Sequence, residues 1–304
     1  MIALADDLPD DTDSPLALPA PGEQIARLAA ALGILLLLTA VWSPLIDAVA
    51  LSSAKEVRIL PRLSVFLAAL LTAMLLSGAR WRARHTIPAL ALFGATAVAL
   101  KSRLIAAGET PTLNSVLLAT QTLAMLFAGL TLGGWIRTGG GLLQFLTCAI
   151  AGDIWLNSLY VADTSVKEAS YALLRLSWPP VQGFLAPAPG FGEVLVSGAL
   201  AGCARRLGLP LISIVLGAFA GYCAASFLAL PPWPAWPTLG VLLITSGTLI
   251  GCWPDLELTL HDLRRALLIG GSLMLLLAGV SALRSALAPP PKPQPELFRY
   301  RSFT

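Results

Sequence analysis

The chain alternates long apolar runs with short polar or proline-rich breaks. A run of about 20 apolar residues is long enough to cross the hydrocarbon core of a bilayer, which is about 30 Å thick. The pattern predicts about nine membrane-spanning helices, at residues 26–48, 62–79, 86–106, 113–136, 140–162, 190–205, 207–230, 235–253 and 265–287. The predicted fold is therefore an all-α, polytopic membrane helix bundle.

Two tails flank this predicted bundle. Residues 1–24 are acidic and contain prolines, and they lack the basic start of a secretory signal, so we interpret them as a disordered tail. Residues 25–288 then form a single transmembrane helical domain. Residues 289–304 form a proline-rich, basic C-terminal tail.

The composition supports a membrane location and argues against nucleic acid as a partner. The chain is 56% hydrophobic and only 12% charged, with a formal net charge of +3. Its basic residues lie in short clusters between apolar runs, where anionic lipid headgroups are their natural partners. We expect a multi-pass integral membrane protein in contact with the lipid bilayer, in a bacterial inner membrane.

The distribution of basic residues leaves the orientation in the membrane open. When Arg62 is counted as a loop residue, about 9 Lys and Arg residues fall on one side and about 11 on the other. A difference this small favours neither orientation.

The sequence predicts no cofactor and no metal. The four cysteines form no Cys-x-x-Cys pair, and His85 and His261 both lie between apolar runs rather than within them. Asp255, Glu257, His261 and Asp262 form a small polar cluster, but they do not share one clean helix face. We interpret this cluster as a solvated segment rather than a metal site.

One carboxylate stands inside an apolar run. In "IAGDIWLNSLYVAD", Asp153 follows a long apolar stretch and precedes Asn157 by one helical turn. A charged side chain near the bilayer centre costs at least roughly 2.5 to 3.5 kcal/mol, so such a residue usually has a functional role or a partner. The alternative is a buried carboxylate that is hydrogen-bonded to Asn157, Ser158 or a neighbouring helix.

A second carboxylate opens the following apolar run. In "PGFGEVLVSGAL", Glu193 comes directly after Gly190 and Gly192. Antiparallel neighbouring helices would bring Asp153 and Glu193 to similar depth, because both lie toward the segment that connects them. Two facing carboxyl groups in a low dielectric would share one proton, which is the state used by aspartic proteases. The alternative is that Glu193 only stabilises the helix N-terminus through its dipole.

Three stretches in order carry a family resemblance: "AGDIWLNSLY", "GFGEVLVSGAL" and "LALPPWPAWPTLG". Across residues 140–253 this order resembles the presenilin and signal peptide peptidase family of GxGD-type intramembrane aspartyl proteases. The resemblance implies cleavage of single transmembrane helices by an Asp153 and Glu193 pair. It also implies supporting roles for Gly190, Gly192 and Asn157, and substrate binding by Leu230, Pro231, Pro234 and Ala235.

The chain departs from the family pattern at both acids. Gly152 stands where the family has tyrosine, and Glu193 stands where it has aspartate. These departures favour a divergent protease or a pseudoprotease. Two other functions stay open: a non-catalytic subunit or scaffold of a larger membrane complex, and a proton or ion carrier that uses the buried acids.

Small residues recur along several predicted spans. The stretches "GLTLGG", "SGALAG" and "GAFAG" place glycine, alanine and serine at helical spacing. In membrane helices such residues allow two backbones to approach closely. The sequence therefore predicts a compact bundle.

Overall fold

The computed structural model describes residues 21–42, 44–45, 55–79, 81, 83–107, 110–162, 190–228 and 240–287. Within these ranges the chain is helical and contains no β-strand, so the all-α prediction is confirmed. The described α-helices are α1 (Pro21–Trp42), α2 (Lys55–Ser77), α3 (Ala83–Ala107), α4 (Pro111–Trp135), α5 (Gly139–Ala162), α6 (Phe191–Arg206), α7 (Leu211–Leu228), α8 (Gly240–Cys252) and α9 (Leu260–Leu287). A short 3-10 helix, Trp253–Asp255, joins α8 to α9.

Five of these helices are long and apolar enough to cross a membrane, which indicates a multi-pass membrane protein. They are α1, α2, α4, α7 and α9. By contrast, α6 has 16 residues and α8 has 13. At 1.5 Å per residue these two helices are about 24 and 20 Å long, less than the roughly 30 Å of a hydrocarbon core. The number of nine spans stays a prediction.

Several helix boundaries differ from the predicted spans. Helix α2 begins at Lys55 rather than at residue 62, and α9 begins at Leu260 rather than at residue 265. Lys, Arg and Glu are good helix formers, so charged residues extend α2 beyond its apolar run. The start of α9 is set by hydrogen bonds between Thr259 and Asp262, which cap the helix before its apolar run begins. Helix α1 begins at Pro21, inside the predicted tail, whereas residues 1–20 and 288–304 lie outside the described residues.

Arginine side chains join several helix ends at one end of the bundle, which we call the arginine end. Arg27 near the start of α1 donates to the carbonyl of Leu75 near the end of α2, at 3.1 Å. Arg205 at the end of α6 donates to the carbonyl of Gly78, at 2.9 Å, and Arg206 donates to the carbonyl of Gly134. Helices α2, α4 and α6 therefore all end here, and α5 begins here after a short turn.

Helices α4 and α6 run parallel and touch at glycines. Gly129 and Gly133 on α4 face Gly198 and Gly202 on α6, each pair being spaced by four residues. A Cβ atom on Gly198 would lie 2.7 Å from the carbonyl oxygen of Leu126, which is closer than real Cβ atoms approach. The backbones themselves are therefore in contact, as in small-residue crossings of membrane helices.

Helices α7 and α8 form a second crossing of this kind, with the helices antiparallel. Gly217 and Gly221 on α7 face Gly247 and the residues around it on α8, and Gly251 packs on Ser213. A Cβ atom on Gly251 would lie 2.7 Å from the carbonyl oxygen of Ser213. The close packing that the small-residue stretches predict is thus confirmed, and each short helix has one long partner.

We expect Gly198→Ala to destabilise the bundle, because the new methyl group would force α4 and α6 apart. Overpacking of a tight contact typically costs about 1 to 3 kcal/mol. The free energy of unfolding, measured by reversible unfolding in lipid–detergent micelles, should fall by that amount.

Gly134→Ala is the matched control for this prediction. It lies on α4 next to Gly133, but a Cβ atom there meets nothing within 4 Å. Alanine also favours helix over glycine by up to about 1 kcal/mol, so this variant should be as stable as the wild type or more stable. Equal destabilisation by both variants would contradict the close crossing.

Candidate functional site

The two acids predicted from the sequence both reach the N-terminal end of α8. The backbone N–H of Val241 donates to Oδ2 of Asp153 at 3.3 Å. Glu193 lies against Gly240, since a Cβ atom on this glycine would collide with its Oε1 atom. Carboxylates from α5 and α6 therefore converge on the first turn of α8, where the helix dipole favours negative charge.

The two acids differ in their environment. Glu193 is buried, with 8% of its surface exposed, whereas Asp153 is half-buried. Glu193 also has a local role, because its Oε2 atom accepts a hydrogen bond from the backbone N–H of Gly190 at the N-cap of α6. This is the glutamate half of a capping box, and it satisfies a donor that would otherwise be unpaired.

Helix geometry places the convergence well inside the bundle. Measured along α5 from the arginine end, Asp153 lies at a height of about 21 Å. Glu193 lies about 20 Å up α6 from its C-terminal end, and Gly240 about 18 Å up α8. Three helices thus bring their groups to one level, about 20 Å from the arginine end.

A buried arginine that sequence reasoning missed lies on α2, which packs against α6 and α7. Arg62 on α2 is buried, with 6% of its surface exposed, and its Nε atom donates to the hydroxyl of Tyr222 on α7 at 2.6 Å. The Tyr222 side chain is fully buried and stacks on Phe66, with the ring centroids 4.0 Å apart. Because the guanidinium also lies 5.2 Å from the Tyr222 ring centroid, it is held by both the hydroxyl and the ring.

The buried arginine and the two acids reach the site from different helices. Arg62 donates to Tyr222 from α2, while Asp153 and Glu193 reach the start of α8 from α5 and α6.

The assignment of Arg62 to a loop was wrong. Because α2 begins at Lys55, Arg62 lies two turns inside the helix, on the side that packs against α6 and α7. The sequence did contain a signal, since Arg62 is surrounded by Ile59, Leu60 and Leu63, an apolar setting that is unusual for a loop.

The structure describes only some of the other predicted site residues. Gly190 forms the N-cap of α6, and Gly192 is exposed, with room for a side chain that would touch Val241 at 3.5 Å. Asn157 lies on α5, but its side chain lies outside the described residues. The predicted substrate-binding residues Leu230, Pro231, Pro234 and Ala235 also lie outside the described residues.

The polar cluster near the start of α9 has a local structural role. Oδ2 of Asp262 accepts hydrogen bonds from the backbone N–H and the hydroxyl of Thr259, at 3.1 and 2.6 Å. This interaction caps the N-terminus of α9. Across the described ranges no three His, Cys, Asp or Glu side chains converge as metal ligands would.

No family model, curated protein or solved structure matches this chain significantly. The resemblance to presenilin-like proteases therefore stays a prediction that depends on the motif order. The convergence of Asp153 and Glu193 on the first turn of α8 does not depend on that resemblance.

We expect Tyr222→Phe to destabilise the protein, because it removes the hydroxyl that accepts from Arg62 and leaves a buried donor unpaired. Such a loss typically costs about 1 to 3 kcal/mol, and more when the donor is charged. The free energy of unfolding in lipid–detergent micelles should fall accordingly.

Ser226→Ala is the matched control on the same helix. Ser226 is buried one turn after Tyr222, and its hydroxyl makes no hydrogen bond within the described part of the chain. Removing this hydroxyl should leave stability unchanged or slightly raised. If Tyr222→Phe were equally neutral, the hydrogen bond would not hold Arg62 in place.

Proposed function

We propose that this protein is a divergent GxGD-like intramembrane aspartyl protease that cleaves single transmembrane helices, with Asp153 and Glu193 as its acid pair. The observation that carries the proposal is the convergence of both carboxyl groups on the first turn of α8. Asp153 accepts from the N–H of Val241, and Glu193 lies against the adjacent Gly240, so the two acids meet at neighbouring residues of α8.

Peptide hydrolysis by two acids requires that they differ in protonation. One ionised carboxylate takes a proton from water as the oxygen attacks the scissile carbonyl, and the other carboxyl group donates its proton to the carbonyl oxygen. Asp153 and Glu193 already differ in burial and in their neighbours. This asymmetry supports a division of roles between them.

A helical substrate would have to unwind at the site. Its scissile carbonyls are otherwise engaged in helix hydrogen bonds, and free backbone groups are costly in lipid. The short helices α6 and α8 begin at the level of the acids rather than at the bundle surface. Irregular backbone is tolerated at membrane depth only where protein or a polar cavity surrounds it, and the site could provide such surroundings.

A second candidate is a non-catalytic subunit of a membrane complex. The observation that favours it is the hydrogen bond from Gly190 to Glu193, which gives this carboxylate a structural task. Glutamate is also one methylene longer than the aspartate of the family pattern. In this candidate the acid pair stabilises the helix starts and performs no hydrolysis.

We expect Asp153→Asn and Glu193→Gln each to reduce cleavage of a reporter transmembrane helix by at least about 100-fold, because general acid–base catalysis contributes that much or more. Glu193→Asp keeps an ionisable group and should retain activity. Cleavage is measured in proteoliposomes that contain the purified full chain and the reporter.

Asp255→Asn is the control variant for this assay. Asp255 is exposed in the 3-10 helix, away from the acid pair, so its substitution should leave cleavage unchanged. Absence of cleavage by the wild type, together with stable co-purifying membrane partners, would instead support the subunit. Proton or ion flux that both acid substitutions abolish, without proteolysis, would support a carrier.

A further inference from the structure

We propose that Arg62, Tyr222 and Ser226 form a binding site for the carboxylate group of an apolar molecule, either a fatty acid or the C-terminal end of a membrane peptide. We call these three residues the carboxylate site. The inference goes beyond the proposed function and does not depend on proteolysis. It gives a role to a buried charge that hydrolysis by the two acids does not use.

Arg62 carries hydrogen-bond donors that the described part of the chain leaves unused. Its Nε atom donates to the hydroxyl of Tyr222. Among the described residues the terminal Nη1 and Nη2 groups have no acceptor, and no carboxylate lies within ion-pair distance of the guanidinium. A buried charged donor without an acceptor is costly, because it has given up its hydrogen bonds to water. An ionisable side chain inside a membrane bundle therefore indicates a functional partner.

The two acids at the start of α8 have hydrogen bonds of their own. Glu193 accepts from the backbone N–H of Gly190, and Asp153 accepts from that of Val241. Helices α4, α7 and α8 contain no acidic residue at all. The acceptor for the terminal groups of Arg62 is therefore supplied by a bound molecule.

The contacts of Tyr222 leave one edge of the guanidinium available. Since Nε is engaged by the hydroxyl at 2.6 Å, Nη1 and Nη2 form the remaining edge. Two parallel N–H groups on such an edge match the two oxygens of a carboxylate. Stacking of Tyr222 on Phe66, with ring centroids 4.0 Å apart, fixes the hydroxyl that holds the guanidinium. The donors are thus preorganised, which lowers the entropy lost on binding.

Ser226 adds an unused hydroxyl on the same side of α7. It follows Tyr222 by one helical turn, so the two side chains are neighbours, and this side points away from Gly217 and Gly221, which contact α8. Ser226 is buried, and its hydroxyl has no hydrogen-bond partner among the described residues. Ser226 and Arg62 both lie about 24 Å from the arginine end, on the antiparallel helices α7 and α2, which pack together.

The surroundings indicate that an apolar molecule carries the carboxylate. Arg62 is flanked on α2 by Ile59, Leu60 and Leu63. Leu60 remains 48% exposed on the outer surface of the bundle, where lipid is the expected neighbour. A small hydrated anion would lose its water in this setting without compensation, whereas an acyl chain or an apolar peptide gains from contact with these side chains.

Equilibrium binding of radiolabelled palmitate to the full chain in lipid nanodiscs tests the proposal. The pH is alkaline, so that the fatty acid is ionised, and empty nanodiscs give the background. The wild type should bind palmitate saturably. Arg62→Met should weaken binding by at least about 10-fold, because hydrogen bonds to charged groups contribute that much. Ser226→Ala should weaken it by about 2- to 10-fold, as expected for loss of one neutral hydrogen bond.

Thr72→Ala is the matched control on α2. The Thr72 hydroxyl is also buried and without a partner in the described part of the chain, but it lies about 15 Å along the helix from Arg62. Its removal should leave the affinity for palmitate unchanged.

A second arm of the experiment identifies the source of the carboxylate. It uses an apolar transmembrane peptide with a free C-terminal carboxylate, and the same peptide as its C-terminal amide. Tighter binding of the acid form, which Arg62→Met abolishes, would support the site with a peptide end as its ligand. Palmitate binding that depends on Arg62, with equal binding of the two peptides, would support the site with a fatty acid as its ligand.

Binding of neither palmitate nor the acid peptide above background would overturn the proposal, as would affinities that Arg62→Met and Ser226→Ala leave unchanged. If Arg62→Met does not fold, Ser226→Ala remains, together with Tyr222→Phe, which releases the guanidinium and should also weaken binding. A protein that binds palmitate through Arg62 but cleaves no reporter would support this site and refute the protease. Cleavage without carboxylate binding would support the protease and refute the site.

Discussion

The architecture depends on backbone contact between helices at glycine. Lipid offers little hydrophobic force to drive two helices together, so close van der Waals packing of small residues has to hold them. Here two such crossings each attach a short helix to a long one: α6 to α4, and α8 to α7. Because the short helices cannot span the bilayer by themselves, these crossings set the depth at which they begin.

That depth is where the polar chemistry lies. The starts of α6 and α8 are the points at which unpaired backbone N–H groups and helix dipoles favour negative charge. Asp153 and Glu193 occupy these points, and Tyr222 on α7 accepts a hydrogen bond from the buried Arg62 of α2. Buried charges are costly in isolation, and each of these groups makes a hydrogen bond that reduces this cost.

The length of the apolar runs predicted most of the helices, because such a run is a local property of the sequence. The predicted helix boundaries were less accurate where charged residues or a polar cap extended a helix beyond its apolar run, as at Lys55 and Leu260. Asp153 and Glu193 could be selected from the sequence because a carboxylate next to an apolar run is rare. Their common depth could also be anticipated, since helix rise is constant.

The sequence by itself determined the membrane class, the helical pattern, the small-residue stretches and the two unusual acids, because each of these depends only on neighbouring residues. The tertiary structure decided which glycines meet, that α4 pairs with α6 and α7 with α8, and that Arg62 is buried in the bundle against Tyr222. An arginine near the start of a span has the same local pattern whether it faces water or protein. Its burial depends on helices α6 and α7, which lie more than 100 residues away in the chain.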